Sequence, residues 1–262
     1  MNLEAPTDRR LLGIDFGGTK MAIGIGDADG RLLASERLPT LAARGARQAL
    51  DRALDLAQKL VTDTGGTLHA VGIASPGVIR EDGIDLAPNV PGWEHLRLAE
   101  AVREHLGVSR VRVANDLNAA ALAELHRGAL RDADPGLVIG LGTGVATAVT
   151  VNGAVVPGYR GAAGEIAYAV TGPNWPASPE PLLETDFSGR ALDELARHVV
   201  TCCLLLDPQR LVLVGGVARD DLVRELLIDR LSHALPYPPE VVLSDFAQDA
   251  ALLGSITLAA QA

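Results

Sequence analysis

A chain of 262 residues with 48% hydrophobic and 21% charged side chains carries enough apolar material for one large domain or two smaller lobes. Its formal net charge of -10 disfavours a nucleic-acid binder, which needs clustered Lys and Arg to neutralise phosphates. No segment approaches the roughly 18 uninterrupted apolar residues of a membrane span, and the opening MNLEAPTDRR lacks the basic, apolar, small-residue succession of a signal peptide. The expectation is a soluble, cytoplasmic protein with a small-molecule partner, no nucleic acid and no membrane.

From the N-terminus, LLGIDFGGTKMAIGIGDADGRLLASERL reads as strand, glycine turn, strand, an Asp29-Gly30 hairpin of the primed two-residue type, and a third strand. ARQALDRALDLAQKLV then places Ala46, Leu50, Ala53, Leu54, Ala57, Leu60 and Val61 on one helical face that would cover the sheet. Strand HAVGIA, a Pro/Gly loop containing APNVPGW, helix LAEAVREHLG and strand VRVAND follow. The opening pattern then returns: LVIGLGTGVATAVTVNGAVVPG is again strand, glycine turn, strand, Asn152-Gly153 hairpin and strand. GPNWPASPEPLL reads as a Pro-rich surface loop. Helix SGRALDELARHVVTCCLLL, strand RLVLVGG, helix RDDLVRELLIDRLSHAL, strand EVVLS and the terminal helix DAALLGSITLAAQ complete the chain.

Two copies of one unit imply a duplicated α/β domain with two lobes and a central cleft. The expected division is a first lobe at 1–115 joined by the terminal helix 249–262, and a second at 116–248. Cys202 and Cys203, adjacent in an apolar run, read as buried small hydrophobes.

Three glycine turns stand out. GIDFGGTK puts Asp15, Gly17, Gly18, Thr19 and Lys20 between two strands, where backbone N–H groups can approach a phosphate, Asp15 can hold Mg²⁺ through water and Lys20 can meet the phosphates. The same segment reads equally as a hairpin with a charged tip. Lys20 is one of only two lysines in a chain that otherwise uses Arg, which sets it apart. Gly142, Thr143 and Gly144 repeat the feature in the second unit, and two such turns heading duplicated units favour phosphate binding. Gly215-Gly216 is placed for a nucleoside, although an ordinary strand-to-helix turn explains it too. Asp116 follows a strand and opens a helix. A helix cap is its ordinary role, and a general base beside a phosphoryl-transfer cleft is the functional one. Asn89, Asn115, Glu165 and Glu184 are polar residues that would converge with it.

These residues resemble the ROK family of repressors, open reading frames and sugar kinases, within the actin, hexokinase and Hsp70 superfamily. GIDFGGTK is similar to the first phosphate motif, GIASPG and APNVPGW to sugar-facing loops, and VANDLNAAALAE to the catalytic segment. LGTGVATAV is similar to the second phosphate motif, GAAGEI to the second sugar loop, and DPQRLVLVGGV to the nucleoside edge. The resemblance implies an actin-like (ribonuclease H-like) ATPase fold, ATP and Mg²⁺ as cofactors, and Asp116 as general base. It further implies that Asn89, Asn115, Asp116, Glu165, Tyr168 and Glu184 face the sugar. Asp15, Gly17, Gly18, Thr19, Lys20, Gly142, Thr143, Gly144, Gly215 and Gly216 would face ATP. A homodimer rests on the resemblance alone.

The chain departs from the family pattern at three places. GEIAY stands where the family has GE-x-G-H, so Ala167 and Tyr168 replace Gly and His. No cysteine stands in GPNWPASPEP, where a three-cysteine zinc motif is usual, so no zinc is expected. The path from SGRAL to RLVLVGG is short. The implied activity is ATP-dependent phosphorylation of a hexose, amino sugar or cyclitol hydroxyl. A non-catalytic sugar sensor and a polyphosphate-using kinase are the alternatives, and the absence of a DNA-reading module ahead of GIDFGGTK disfavours the repressor branch.

Overall fold

The computed structural model describes residues 8–80, 83–87, 90–142, 144–170 and 189–262. In chain order the main elements are β1 (Arg9–Phe16), β2 (Lys20–Gly26), β3 (Leu32–Pro39), α1 (Ala46–Thr64), β4 (Thr67–Ser75), the short ribbon β5 (Val78–Ile79) and β6 (Ile84–Asp85), α2 (Leu98–Leu106), β7 (Val111–Asn115) and α3 (Asp116–Arg127). They continue as β8 (Gly136–Leu141), β9 (Val145–Val151), β10 (Ala154–Val155), α4 (Ala167–Val170), α5 (Gly189–Leu206), β11 (Arg210–Val214), α6 (Asp221–Ala234), β12 (Glu240–Leu243) and α7 (Ala250–Ala260). No helix among the described residues is long and apolar enough to cross a membrane.

The repeat seen in the sequence is a repeat of topology. One five-stranded sheet runs β3-β2-β1-β4-β7 and the other β10-β9-β8-β11-β12. In each, the first three strands of the unit pair antiparallel and the last two add in parallel. The two hairpins differ in detail. Asn152 and Gly153 both have positive φ, 55° and 69°, as a primed two-residue turn requires. In the first unit only Gly30 does, and Asp27 Oδ1 accepts the N–H groups of Asp29 and Arg31, which makes a wider turn than the primed form expected there. A register shift between Ile25 and Gly26 absorbs the extra residue, and Ala22 still stands opposite Arg37.

The chain divides into two compact units, Met1–Ala123 with Ala251–Ala262, and Glu124–Ala250. The division falls inside α3 rather than at its start, and the packing explains why. In the first unit α7 lies so close to α3 that a Cβ on Gly254 would sit 1.7 Å from the Ala119 carbonyl oxygen. In the second, buried Glu124 accepts from the Ser244 hydroxyl and from the Ala129 N–H at 2.8 Å.

The first sheet is covered on both faces, which is why its inner strands are apolar throughout. Leu12, Ile14, Phe16, Met21, Ile23 and Ile25 pack with the Ala/Leu face of α1, and Leu11 and Ala70 pack with Ile256 and Ala259 of α7. The α7 face is built of small residues so that the helix can press against the strands: a Cβ on Gly72 would be 1.8 Å from the Ser255 carbonyl. In the second unit Leu137, Ile139, Leu141, Leu211 and Leu213 pack with α5 and α6. Cys203 is buried in that core and Cys202 lies at its margin, both as free thiols.

Candidate functional site

In the first unit, β1 delivers Asp15 to the C-terminal part of the sheet on the α7 side. Its strand partners are Ala22 on β2 and Ala74 on β4, and Ala74 in turn pairs with Ala114 on β7, two residues before Asp116. The small neighbours leave the carboxylate room. The turn after β1 is closed by the Gly17 N–H donating to the Lys20 carbonyl at 3.0 Å. Buried Thr40 braces it, donating its hydroxyl to the Gly17 carbonyl at 2.6 Å and its N–H to the Thr19 carbonyl at 2.8 Å. Gly17 and Gly18 are partly open while Thr19 and Lys20 are exposed, so the loop offers both backbone and a cation to solvent.

Asp116 opens α3 but does not cap it. Asn115 does: its Oδ1 accepts the N–H of Leu117 at 2.9 Å and of Asn118 at 3.2 Å. Its Nδ2 donates to the Gly77 carbonyl at 3.1 Å, tying the turn after β4 to the start of the helix. Asp116 Oδ1 also accepts the Leu117 N–H, at 2.8 Å. The capping role open to Asp116 on sequence grounds thus belongs to its neighbour, because the helix begins one residue earlier in capping terms. Beneath this turn Trp93 donates its indole N–H to the buried Ser75 hydroxyl at 2.9 Å and stands edge-on to Phe16, with ring centroids 5.0 Å apart.

The electrostatics single out the two aspartates. Burial, then the nearby Asp116 charge, pushes the Asp15 carboxyl up to about 7, against the pull of the Arg37 guanidinium. Burial pushes Asp116 up to about 6, opposed by the Leu117 N–H. Two aspartates titrating near neutrality in one small region mark it as a candidate site for proton handling and cation binding. Arg37 is a residue that sequence reasoning did not single out.

In the second unit, the Gly142 N–H donates to the Gly144 carbonyl at 3.1 Å across the turn after β8. Gly215 has φ of 103°, and a Cβ there would be 2.2 Å from the Leu141 carbonyl oxygen, so the turn after β11 admits only glycine. Gly216 has open space around it and begins the helical turn at Val217–Arg219. The GAAGEI segment is pinned to β9 by the Thr147 N–H and hydroxyl, both donating to the Gly164 carbonyl, at 2.7 and 3.1 Å. Tyr168 follows one turn after Glu165, its N–H donating to the Glu165 carbonyl at 3.2 Å. Both side chains are half-buried, and burial followed by the Glu165 charge raises the Tyr168 phenol. Asn89, Thr143, Glu184 and the Pro-rich stretch at 172–183 lie outside the described residues. Among the described residues no three His, Cys, Asp or Glu side chains group as metal ligands do.

The chain is 27% identical to a glucokinase of Thermotoga maritima, over 95% of this chain and 96% of that protein. It is 33% identical to an N-acetylmannosamine kinase of Citrobacter koseri, over 73% of this chain and 66% of the relative. Among solved structures it resembles a ROK family glucokinase from Streptomyces griseus in complex with glucose and AMPPNP, with a TM-score of 0.75 and 25% identity over 97% of this chain and 100% of that one. The sequence model of the ROK family matches residues 11–179, more than half of the chain, and with two sheets of one repeated topology behind the motifs, the chain belongs to the ROK family.

Proposed function

We infer that this ROK-family sugar kinase transfers the γ-phosphoryl group of ATP to a hydroxyl of a hexose, amino sugar or cyclitol, with Asp116 as the general base. The observation that carries the reading is the division of labour at the start of α3. Asn115 takes over the cap, and the Asp116 carboxyl beside it is pushed up to about 6, close to the pKa a base needs at physiological pH. A pure binder has no evident need for that arrangement, which favours turnover over a non-catalytic sensor.

The roles follow from the residues. Asp116 takes the proton of the attacking hydroxyl as the phosphoryl group arrives. Asn115 keeps a second Nδ2 hydrogen beyond its bond to Gly77, and that donor orients a sugar hydroxyl next to the base. Asn89, Glu165, Tyr168 and Glu184 are proposed as the remaining sugar contacts. Gly17, Gly18, Thr19 and Lys20 receive donor phosphates on backbone N–H groups and one cation, and Gly142, Thr143, Gly144, Gly215 and Gly216 serve the nucleotide. Asp15 beside Asp116 is an all-oxygen donor set whose like charges a hard divalent cation relieves, so the residues fit Mg²⁺, held by Asp15 through water. When bound, Mg²⁺ supplies charge neutralisation on the phosphates.

The test is ADP release from ATP with a panel of sugars, amino sugars and cyclitols, with polyphosphate as a parallel donor measured by sugar phosphate formed. Turnover of at least one acceptor with ATP, abolished by removing Mg²⁺ and insensitive to zinc chelators, is the expected result. Binding of sugars without turnover from either donor would leave the sensor in its place. Turnover from polyphosphate alone would change the donor and keep the acceptor chemistry.

A further inference from the structure

We propose that Arg37 is a second cationic ligand, beside Lys20, for the phosphate chain of the donor; the proposal rests on the kinase reading above. The register across three strands carries it. Asp15 pairs with Ala22, and Ala22 pairs with Arg37, so the three stand in one row across β1, β2 and β3. Directly paired residues share a sheet face, and residues two apart on a strand do as well. Asp15, Lys20, Ala22 and Arg37 therefore lie on the same face, the one that α7 covers farther along at Gly13, Gly24 and Gly26. The alternate residues face the other way: Leu38 packs in the α1 core and Glu36 bonds Lys59 of α1 at 2.9 Å.

Two strand spacings put the Arg37 and Asp15 backbones about 10 Å apart. Ala22 between them is buried, and the Arg37 charge is felt across it at the Asp15 carboxyl. Lys20 and Arg37 are both exposed, so each can meet a ligand without leaving a buried position. Lys20 on β2 and Arg37 on β3 lie to the same side of Asp15 on β1, offset by one strand and two residues, and give a polyanion two separate anchors beside the carboxylate. The fork of donors on Arg suits bidentate capture of phosphate oxygens, and such a bond is charge-assisted at both ends.

Wild type, Arg37→Gln and Arg37→Lys are compared by calorimetric titration with MgADP and with a non-hydrolysable ATP analogue, and by kinetics with donor and acceptor varied separately. The expected result is roughly tenfold weaker nucleotide binding and a donor KM raised by a similar factor in Arg37→Gln, with acceptor KM unchanged and Tm within a degree or two of wild type. Arg37→Lys recovers part of the loss. Unchanged nucleotide affinity and donor KM in an active Arg37→Gln protein would overturn the proposal and leave the kinase reading standing. If wild type turns over no acceptor, that reading fails instead, and the titrations alone decide whether Arg37 holds the nucleotide.

Discussion

Asp15 and Asp116 stand as neighbouring carboxylates at the ends of β1 and β7, and their acidities are both displaced towards neutrality, to about 7 and about 6. Burial is the larger cause for each, and for Asp15 the Asp116 charge adds to it. A base must be unprotonated to accept a proton, and Asp15 must be ionised to hold a cation. The rate should accordingly climb as pH rises through about 6 to 7 and level off above. A profile of kcat/KM against pH from 5 to 9, taken at saturating Mg²⁺, checks this. A rate already level at pH 5 would remove both aspartates from the rate-limiting protonation.

The same displacement has a cost in stability, with a sign that can be worked out. Both folded pKa values lie above the ordinary aspartate value of 3.8, so the folded protein holds more protons than the unfolded chain between about pH 4 and pH 7. Their favourable contribution is complete below pH 4 and is lost as pH rises through 6 and then 7. Replacing Asp116 by Asn removes one buried charge and keeps an oxygen for the Leu117 N–H. The variant should be more stable at pH 7.5 by on the order of 1–3 kcal/mol, a Tm rise of several degrees, while kcat falls by roughly 10²- to 10⁴-fold. Sugar affinity by calorimetry should be preserved. A variant with near-normal kcat would take Asp116 out of the chemistry, whatever its Tm.

Much of this arrangement was legible before the structure. The two glycine turns and the DG and NG hairpins marked a duplication, and the two sheets repeat one strand order. Counting outward from the turns at Gly18-Thr19 and Asp29-Gly30 would also have put Asp15, Ala22 and Arg37 in one row, yet Arg37 lies in a strand segment with no motif to draw attention to it. Two features were not legible for physical reasons. Asp27, by accepting from two backbone N–H groups, stabilises a wider turn that competes with the primed form, and the sequence DADG permits both. Asn115 and Asp116 are equally good caps by type, and which one acts depends on the last hydrogen-bonded residue of β7, a boundary that patterns fix only to within a residue or two.

Asn115 joins three backbone positions, and its removal should be felt in both stability and rate. Asn115→Ala frees the Asn118 N–H and the Gly77 carbonyl in a buried setting and leaves the Leu117 N–H to Asp116 alone. Loss of the cap alone costs about 1–2 kcal/mol. Asn115→Asp keeps the cap but loses the donor to Gly77 and adds a third carboxylate beside Asp15 and Asp116. Thermal unfolding should rank wild type above both variants, and kcat should fall in both because the turn that aims Asp116 is loosened. If Asn115→Ala unfolds at the wild-type Tm, the cap does not govern this turn.

Tyr168 stands where the family pattern has a histidine, and the proposed kinase reading makes it a contact for the acceptor. A phenol reaches farther than an imidazole and offers one donor and one acceptor at its tip. Burial and the Glu165 charge both raise its pKa, so it keeps its phenolic proton across the working pH range. The segment that carries it is held to β9 through Gly164 and Thr147, so the side chain is set on a fixed backbone rather than on a free loop. A site built to bond particular hydroxyls can reject a sugar lacking the matching group by about 10⁴-fold, far more than shape alone achieves. Glucose is therefore expected to be a poorer acceptor than an amino sugar or a carbocyclic analogue. The measurement is kcat/KM for glucose and for its amino and carbocyclic analogues, in wild type and in Tyr168→Phe. The phenylalanine variant should narrow the gap between acceptors by removing the hydroxyl while keeping the ring. If glucose is the best acceptor and Tyr168→Phe leaves the ranking unchanged, Tyr168 is a packing residue, and the choice of acceptor is made by other contacts.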